Sequence, residues 1–324
     1  PICMTNNNPV SPHPNSDQLG NNWTLNHVGM TVENRNATLR HYQSLGVGVS
    51  VGPQPLLPHE DGEGSLMFYR TLEGDPVTNT YQTGGAHNFA DGESQIGDCQ
   101  LECYPMRPGP GMFLGDYLEQ KGAGINHICF NTPTIEKDTE LLVGKGCKVM
   151  FNAMVNGKIV ENYLDSRRCG DLMLSLRPPP SDWEKAWKAN NEAHPLVNDW
   201  KFLGVGIGVS SLAKSIDYYH SLGFPNRRDI KIDHDFKRRS QAVQVGPIIF
   251  EFSEPLDDSG SCAEALQSRG EGVFELIFEV TDLVAEAYRL QNRGLLTYPD
   301  ETSQRTLCFD ARAEGNTLIR LVQR

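Results

Sequence analysis

The chain repeats itself, and that repetition limits its fold more than any other feature. Residues 25–47 resemble residues 202–223: each stretch has an alternating strand, a polar turn and a helix. Both helices close on the same tripeptide, Ser44-Leu45-Gly46 and Ser221-Leu222-Gly223. The glycine suits a helix end, where the backbone must turn to positive φ. A second pair, residues 116–133 and 264–281, shows a short helix ending at Gly122 or Gly270, then a strand, then another helix. The expected caps of that last helix are Thr134 and Asp282. Each unit finishes in a strand, placed at Asp98–Tyr104, Asp171–Leu176, Val245–Phe252 and Thr317–Val322. The chain therefore reads as four βαβββ modules.

One such module cannot bury its own sheet, so modules must pair into curved, cup-shaped mixed sheets with helices outside, an α+β architecture. The 324 residues leave room for two pairs. Pro178-Pro179-Pro180 marks the break between them, and Ser181-Asp182-Trp183-Glu184 has the cap and early acid of a helix start, running to about Asn191. The expected organisation is a proline-broken arm over 1–22, a first domain over 23–180, a linker helix within 181–199 and a second domain over 200–324. The stretch from His27 to Glu102 exceeds its counterpart from Gly204 to Glu251 by about 28 residues, between Val51 and Gly97. Extra loop there is expected near a cup mouth, with Tyr69, Tyr81 and His87 as substrate contacts.

Two short segments, Leu25-Asn26-His27-Val28-Gly29 and Gly122-Ala123-Gly124-Ile125-Asn126-His127-Ile128-Cys129-Phe130, resemble the vicinal oxygen chelate superfamily. That superfamily includes glyoxalase I, methylmalonyl-CoA epimerase, fosfomycin-resistance proteins and extradiol dioxygenases. The second segment is especially similar to the epimerases, and the resemblance extends from about Trp23 to Leu321. It implies one divalent metal inside the cup (Zn, Ni, Co, Mn or Fe), held by His27, Glu102 and His127. Side-chain alternation agrees: in Cys99-Gln100-Leu101-Glu102-Cys103, Gln100 and Glu102 share one face and Leu101 and Cys103 the other. A lone histidine in an apolar strand is more often a core residue. Two at equivalent repeat positions, with a carboxylate at a third, favour a metal site.

Ser175 stands where the isomerases of the superfamily carry a glutamate. A serine is a poor ligand and no carboxylate base, so Ser175 is left as a substrate contact. Glu161 or Asp165 could supply the missing acid. In the second half, Gly204, Glu251, Glu275 and Arg320 replace His27, Glu102, His127 and Ser175. Two glutamates and an arginine suit an internal ion pair better than a transition metal.

The resemblance implies a metal-dependent isomerase, epimerase or lyase acting through an enolate. Its substrate would be a small vicinal-oxygen compound: a hydroxy-ketone, a cyclitol-like ketone, a thiohemiacetal or an acyl-CoA. Glu161 or Tyr104 would move the proton. The alternatives are a non-haem Fe(II) extradiol-type dioxygenase and a non-catalytic ligand-binding or resistance protein. A small molecule is the expected partner, with a homodimer open as an assembly.

Composition narrows the rest. With 29 Lys+Arg against 41 Asp+Glu the net charge is −12, which disfavours a broad nucleic-acid surface. Lys237-Arg238-Arg239 is accordingly expected on a solvated loop face. No membrane span, signal-peptide pattern, phosphate-cradling loop or Gly-x-Ser-x-Gly motif is present. The eight cysteines form no C-x-x-C pair and several lie in apolar strands, so they are expected as buried, reduced thiols of a cytoplasmic protein.

Overall fold

The computed structural model describes residues 18–51, 66–70, 76–80, 93–104, 113–155, 157–225, 227–298 and 305–324. The first module runs through β1 (Thr24–Thr31), α1 (Arg35–Leu45) and β2 (Val49–Val51). After a hairpin of β3 (Leu66–Arg70) and β4 (Pro76–Thr80), it ends in β5 (Glu93–Ile96) and β6 (Cys99–Tyr104). The second comprises α2 (Phe113–Lys121), β7 (Gly124–Asn131), α3 (Ile135–Gly144), β8 (Lys148–Val155), β9 (Lys158–Asp165) and β10 (Met173–Arg177). The linker helix α4 (Asp182–Glu192) follows.

The third module is β11 (Lys201–Gly208), α5 (Leu212–Leu222), β12 (Lys231–Asp233), β13 (Arg238–Val245) and β14 (Ile248–Pro255). The fourth is α6 (Ser261–Arg269), β15 (Gly272–Val280), α7 (Leu283–Gln291), β16 (Thr297–Tyr298), β17 (Thr306–Asp310) and β18 (Leu318–Gln323). Two mixed sheets result, ordered β2-β5-β6-β1-β7-β10-β9-β8-β3-β4 and β12-β13-β14-β11-β15-β18-β17-β16. In each, the first strands of two modules meet antiparallel at the centre, β1 on β7 and β11 on β15.

Local chemistry explains most boundaries. Gly46 and Gly223 close α1 and α5 at φ 71° and 108°. Ser181 and Glu184 form a reciprocal capping box at the start of α4. Asp282 caps α7 through the Ala285 amide. Thr134 does not cap α3, because its hydroxyl donates to the Asp138 carboxylate instead. The strand expected over Val245–Phe252 is two strands joined by a tight turn at Gly246, φ 57°. The module-one insertion contains the β3–β4 hairpin, which pairs with β8 and so extends the first sheet at its far edge.

Buried apolar side chains of both halves form one continuous cluster that includes Trp23, Phe130, Trp200, Phe224 and Phe278. Trp23 stacks near Phe130 at 5.1 Å and meets Phe224 of the second half edge-on at 5.8 Å. The expected arm is anchored at its end, since Leu19 is buried in this cluster; residues 1–17 lie outside the described ones. Cys99, Cys103, Cys129, Cys147, Cys262 and Cys308 are buried free thiols and Cys169 is a half-buried one; Cys3 lies outside the described residues. Among the described residues no helix is long and apolar enough to cross a membrane.

Candidate metal centre

The site is built on two β-bulges. Where β1 pairs with β7, the register slips between Leu25 and His27 and again opposite Gly29 and Met30, leaving Asn26 and Asn126 as the extra residues. A bulge turns its extra residue toward the same side as the next one. Each asparagine can therefore hold the histidine that follows it. Asn26 Oδ1 lies 2.7 Å from His27 Nδ1, and Asn126 Oδ1 lies 2.7 Å from His127 Nδ1.

The direction of these bonds is fixed from outside. The Pro178 carbonyl can only accept, so Asn131 turns its Nδ2 to it at 2.6 Å and offers Oδ1 to Asn26 Nδ2 at 2.9 Å. Asn26 is left with its oxygen toward His27. Asn126 likewise spends its amide nitrogen on the Thr31 hydroxyl. With Asn26 so turned, His27 donates from Nδ1 and presents Nε2 to the cup, and Asn126 places its oxygen against His127 Nδ1 in the same way.

Those nitrogens converge. His27 Nε2 is 3.2 Å from His127 Nε2 and 2.7 Å from Glu102 Oε2. All three side chains offer ligand atoms within 4.8 Å of one another. The Glu102 oxygen is buried against the His27 ring. Burial disfavours the Glu102 carboxylate, but its contact with the His27 ring, with help from Arg177 and Tyr104, holds its pKa at about 2. Burial, reinforced by His27, pushes the His127 imidazole well below its ordinary range. Three electron-pair donors facing one point repel one another unless a cation lies between them. A proton can serve one pair of them, whereas a divalent ion serves all three, so the donor set fits a metal.

The rings can approach only because of Gly29. A β-carbon there would lie 1.8 Å from His127 Cε1 and 2.0 Å from Nε2. His127 lies across that glycine, its register partner, while Tyr163 places its hydroxyl 3.2 Å from His127 Nε2. Sequence reasoning missed Tyr163, Arg177 and both asparagines. Alternation in Met173-Leu174-Ser175-Leu176-Arg177 puts Ser175 and Arg177 on one face, a signal for Arg177; the bulges left none.

Glu161 is buried, not an edge carboxylate. It accepts from Arg177 Nη2 at 2.9 Å and from the Ser175 hydroxyl at 3.2 Å. Ser175 is fully buried and holds Glu161 through its hydroxyl. Asp165 instead pairs with Arg167 at 2.8 Å, away from the centre. Glu161 also belongs to a second donor group with His27 and Cys129. Burial pushes the Cys129 thiol up to about 12, so that group is the poorer metal site. Tyr104 sits beside His127, ring centroids 6.1 Å apart, and burial with the Glu102 charge raises its phenol well above the ordinary value. Tyr69 is opposite Phe151 in the β3–β8 register, its side chain outside the description; Tyr81 and His87 lie outside the described residues.

The second sheet repeats the framework without the chemistry. Gly206 faces Glu275 and Glu251 there as Gly29 faces His127 and Glu102. Its two bulges carry Leu203 and Phe274 where the first sheet has asparagines. Arg320 reaches Glu251 at 2.7 Å and Glu275 at 3.2 Å, while Arg238 reaches Glu275 at 3.0 Å. Arg238 is only 1% exposed, so the basic run is no solvated face at that residue: strand alternation turns Arg238 in and Arg239 out.

Four modules joined through their first strands into two cups, one with two histidines and a carboxylate at its centre, define the vicinal oxygen chelate fold in tandem. Over nearly its whole length the chain is similar to a triple mutant of 4-hydroxymandelate synthase from Streptomyces coelicolor. That match covers 93% of this chain and 92% of the other, with TM-score 0.57 and 14% identity, a likeness of fold. Methylmalonyl-CoA epimerase from Mycobacterium tuberculosis matches 38% of this chain and 87% of its own, at 28% identity and TM-score 0.34. No family profile and no curated protein matches the chain.

Proposed function

We propose that the first cup binds one divalent metal through His27, Glu102 and His127 and catalyses proton transfer on a small vicinal-oxygen substrate, as an isomerase, epimerase or lyase. The observation that carries this reading is a second buried carboxylate, Glu161, with a donor atom within 4.8 Å of the same histidine. A divalent ion at this centre supplies Lewis-acid polarisation of two adjacent substrate oxygens. Glu161, held by Arg177 and Ser175, takes the proton next to the polarised carbonyl and returns it to the isomerised position. Tyr163 and Tyr104 offer neutral hydroxyl donors to developing negative charge.

A second reading, a ring-cleaving Fe(II) dioxygenase, is favoured by Ser175, which puts no further carboxylate beside the two histidines and Glu102 at that position. Metal analysis of protein purified without chelator, joined to deuterium exchange from solvent into a panel of hydroxy-ketones, separates the two. Proton transfer predicts exchange that falls about 10²–10⁴-fold in Glu161→Gln with metal content unchanged. Iron together with substrate-dependent O₂ uptake, and no exchange, would overturn it.

A further inference from the structure

The ladder between β1 and β6 begins only at Val28 and Leu101. Upstream of that pair lie the bulge and the carbonyls of Leu25 and Asn26. A side chain from the linker helix meets them: Lys188 Nζ donates to the Asn26 carbonyl at 2.5 Å and to the Leu25 carbonyl at 3.4 Å. We infer that Lys188 is a positioning residue for the metal centre, acting through the chain Lys188, Asn26, His27. Its ammonium fixes the backbone of the bulge residue whose side-chain oxygen sets the proton and the angle of the His27 ring.

Further observations support this. Helix α4 is not a loose tether, because the Ser181–Glu184 box fixes its first turn and Lys188 lies inside it. Lys188 is half-buried, with its charge placed against main-chain oxygens and near Glu93. Glu93 is the direct cross-strand partner of the ligand Glu102. Ordering a lysine this way costs side-chain entropy and desolvation, which a plain surface linker would not incur. The other metal-side asparagine, Asn126, has its own tether in Thr31. Each histidine is therefore oriented by an asparagine that is itself held: Asn126 by Thr31, and Asn26 at its side chain by Asn131 and at its backbone by Lys188 of the linker helix. In the second sheet, where the histidines are absent, the bulge residues are Leu203 and Phe274. The asparagines occur only where a ring has to be oriented.

The inference rests on the metal reading for its effect on affinity, but its first readout does not. The test uses the full chain, stripped with chelator and titrated with Co²⁺, and two-dimensional ¹⁵N spectra of the imidazoles. Lys188→Met should weaken Co²⁺ binding about 10–100-fold, the usual loss on removing an outer support of a ligand. It should also shift and broaden the Nδ1–H signature of His27, whose asparagine keeps its side-chain bond to Asn131 but loses its backbone anchor, while leaving that of His127 unchanged. Lys188→Arg, which keeps a cationic donor, should recover most of the loss. Lys185→Met, which removes only an exposed pair with Asp182, should change neither readout. If Lys188→Met does not fold, Lys188→Gln, which retains N–H donors without the charge, carries the same comparison. An unchanged His27 signature and unchanged Co²⁺ affinity in a folded Lys188 variant overturn the inference. Failure of the unaltered chain to bind Co²⁺, with the His27 signature still dependent on Lys188, overturns the metal reading alone.

Discussion

Gly29→Ala is the most direct test of how the centre is assembled. The added β-carbon would lie 1.8 Å from His127 Cε1, 2.0 Å from Nε2 and 2.3 Å from Nδ1. Ordinary carbon contacts are about 3.5–4.0 Å, so the ring must retreat by roughly 1.5–2 Å. Metal–ligand distances tolerate only about 0.2 Å, so that retreat removes His127 from the donor set. The same movement pulls Nδ1 off Asn126. Loss of a ligand should exceed the loss of an outer support, giving at least ~100-fold weaker Co²⁺ binding, or about 2.7 kcal/mol. Crowding of the metal-free fold should cost a further ~1–3 kcal/mol in denaturant unfolding. Gly206→Ala supplies the control, because its β-carbon would lie 2.3 Å from Glu275 Cγ at the equivalent register of the second sheet. It should lower stability and leave Co²⁺ affinity unchanged. Gly29→Ala binding Co²⁺ within threefold of the parent would refute the reasoning, since His127 would then have a metal-competent position that the packing denies it.

Two other outcomes are expected. Arg320→Met strips Glu251 of its 2.7 Å partner and Glu275 of a 3.2 Å one, leaving Arg238 to serve both. Breaking a buried charge cluster by one member should cost about 3–5 kcal/mol in chemical denaturation, with metal binding in the first cup intact. The folded pKa of His127 lies well below its unfolded value of about 6.5, so below that pH the unfolded chain takes up a proton that the folded chain refuses. Metal-free protein should therefore be fully stable above about pH 6.5 and lose about 1.4 kcal/mol per pH unit below it. Denaturant titrations of the parent and His127→Gln check this, and an identical acid slope in both would contradict it.

The repeat made most of the architecture legible, because hydrophobic alternation and helix-closing glycines act locally. Gly46 and Gly223 end their helices as their positions required, and Ser181 starts the linker helix. Alternation also put Glu102 on the cup side, with Leu101 and Cys103 in the core. What could not be read depended on register. A bulge adds one residue to one strand, and only the pairing of β1 with β7 reveals that Asn26 and Asn126 share a side with their histidines. Arg238 was misplaced for a related reason: its run of charges suggested a loop, but the strand starts at that residue and turns it inward. Glu161 was recognised as an acid within reach, yet its holder, Arg177, lies two residues beyond Ser175 at the end of β10. Alternation gives the face that Arg177 takes, but not that Glu161 of the neighbouring strand is its partner.

The continuous apolar cluster across both sheets has a consequence for the history of such a chain. A half that lacks the histidines would, on chemistry alone, be dispensable. Here, deleting everything after Pro180 would strip Trp23 of Phe224 and open the buried face that surrounds them. The half without histidines is a scaffold built into the core of the half that has them. Its sequence can drift wherever it touches no interface, and it is held to its shape wherever the two cores are one.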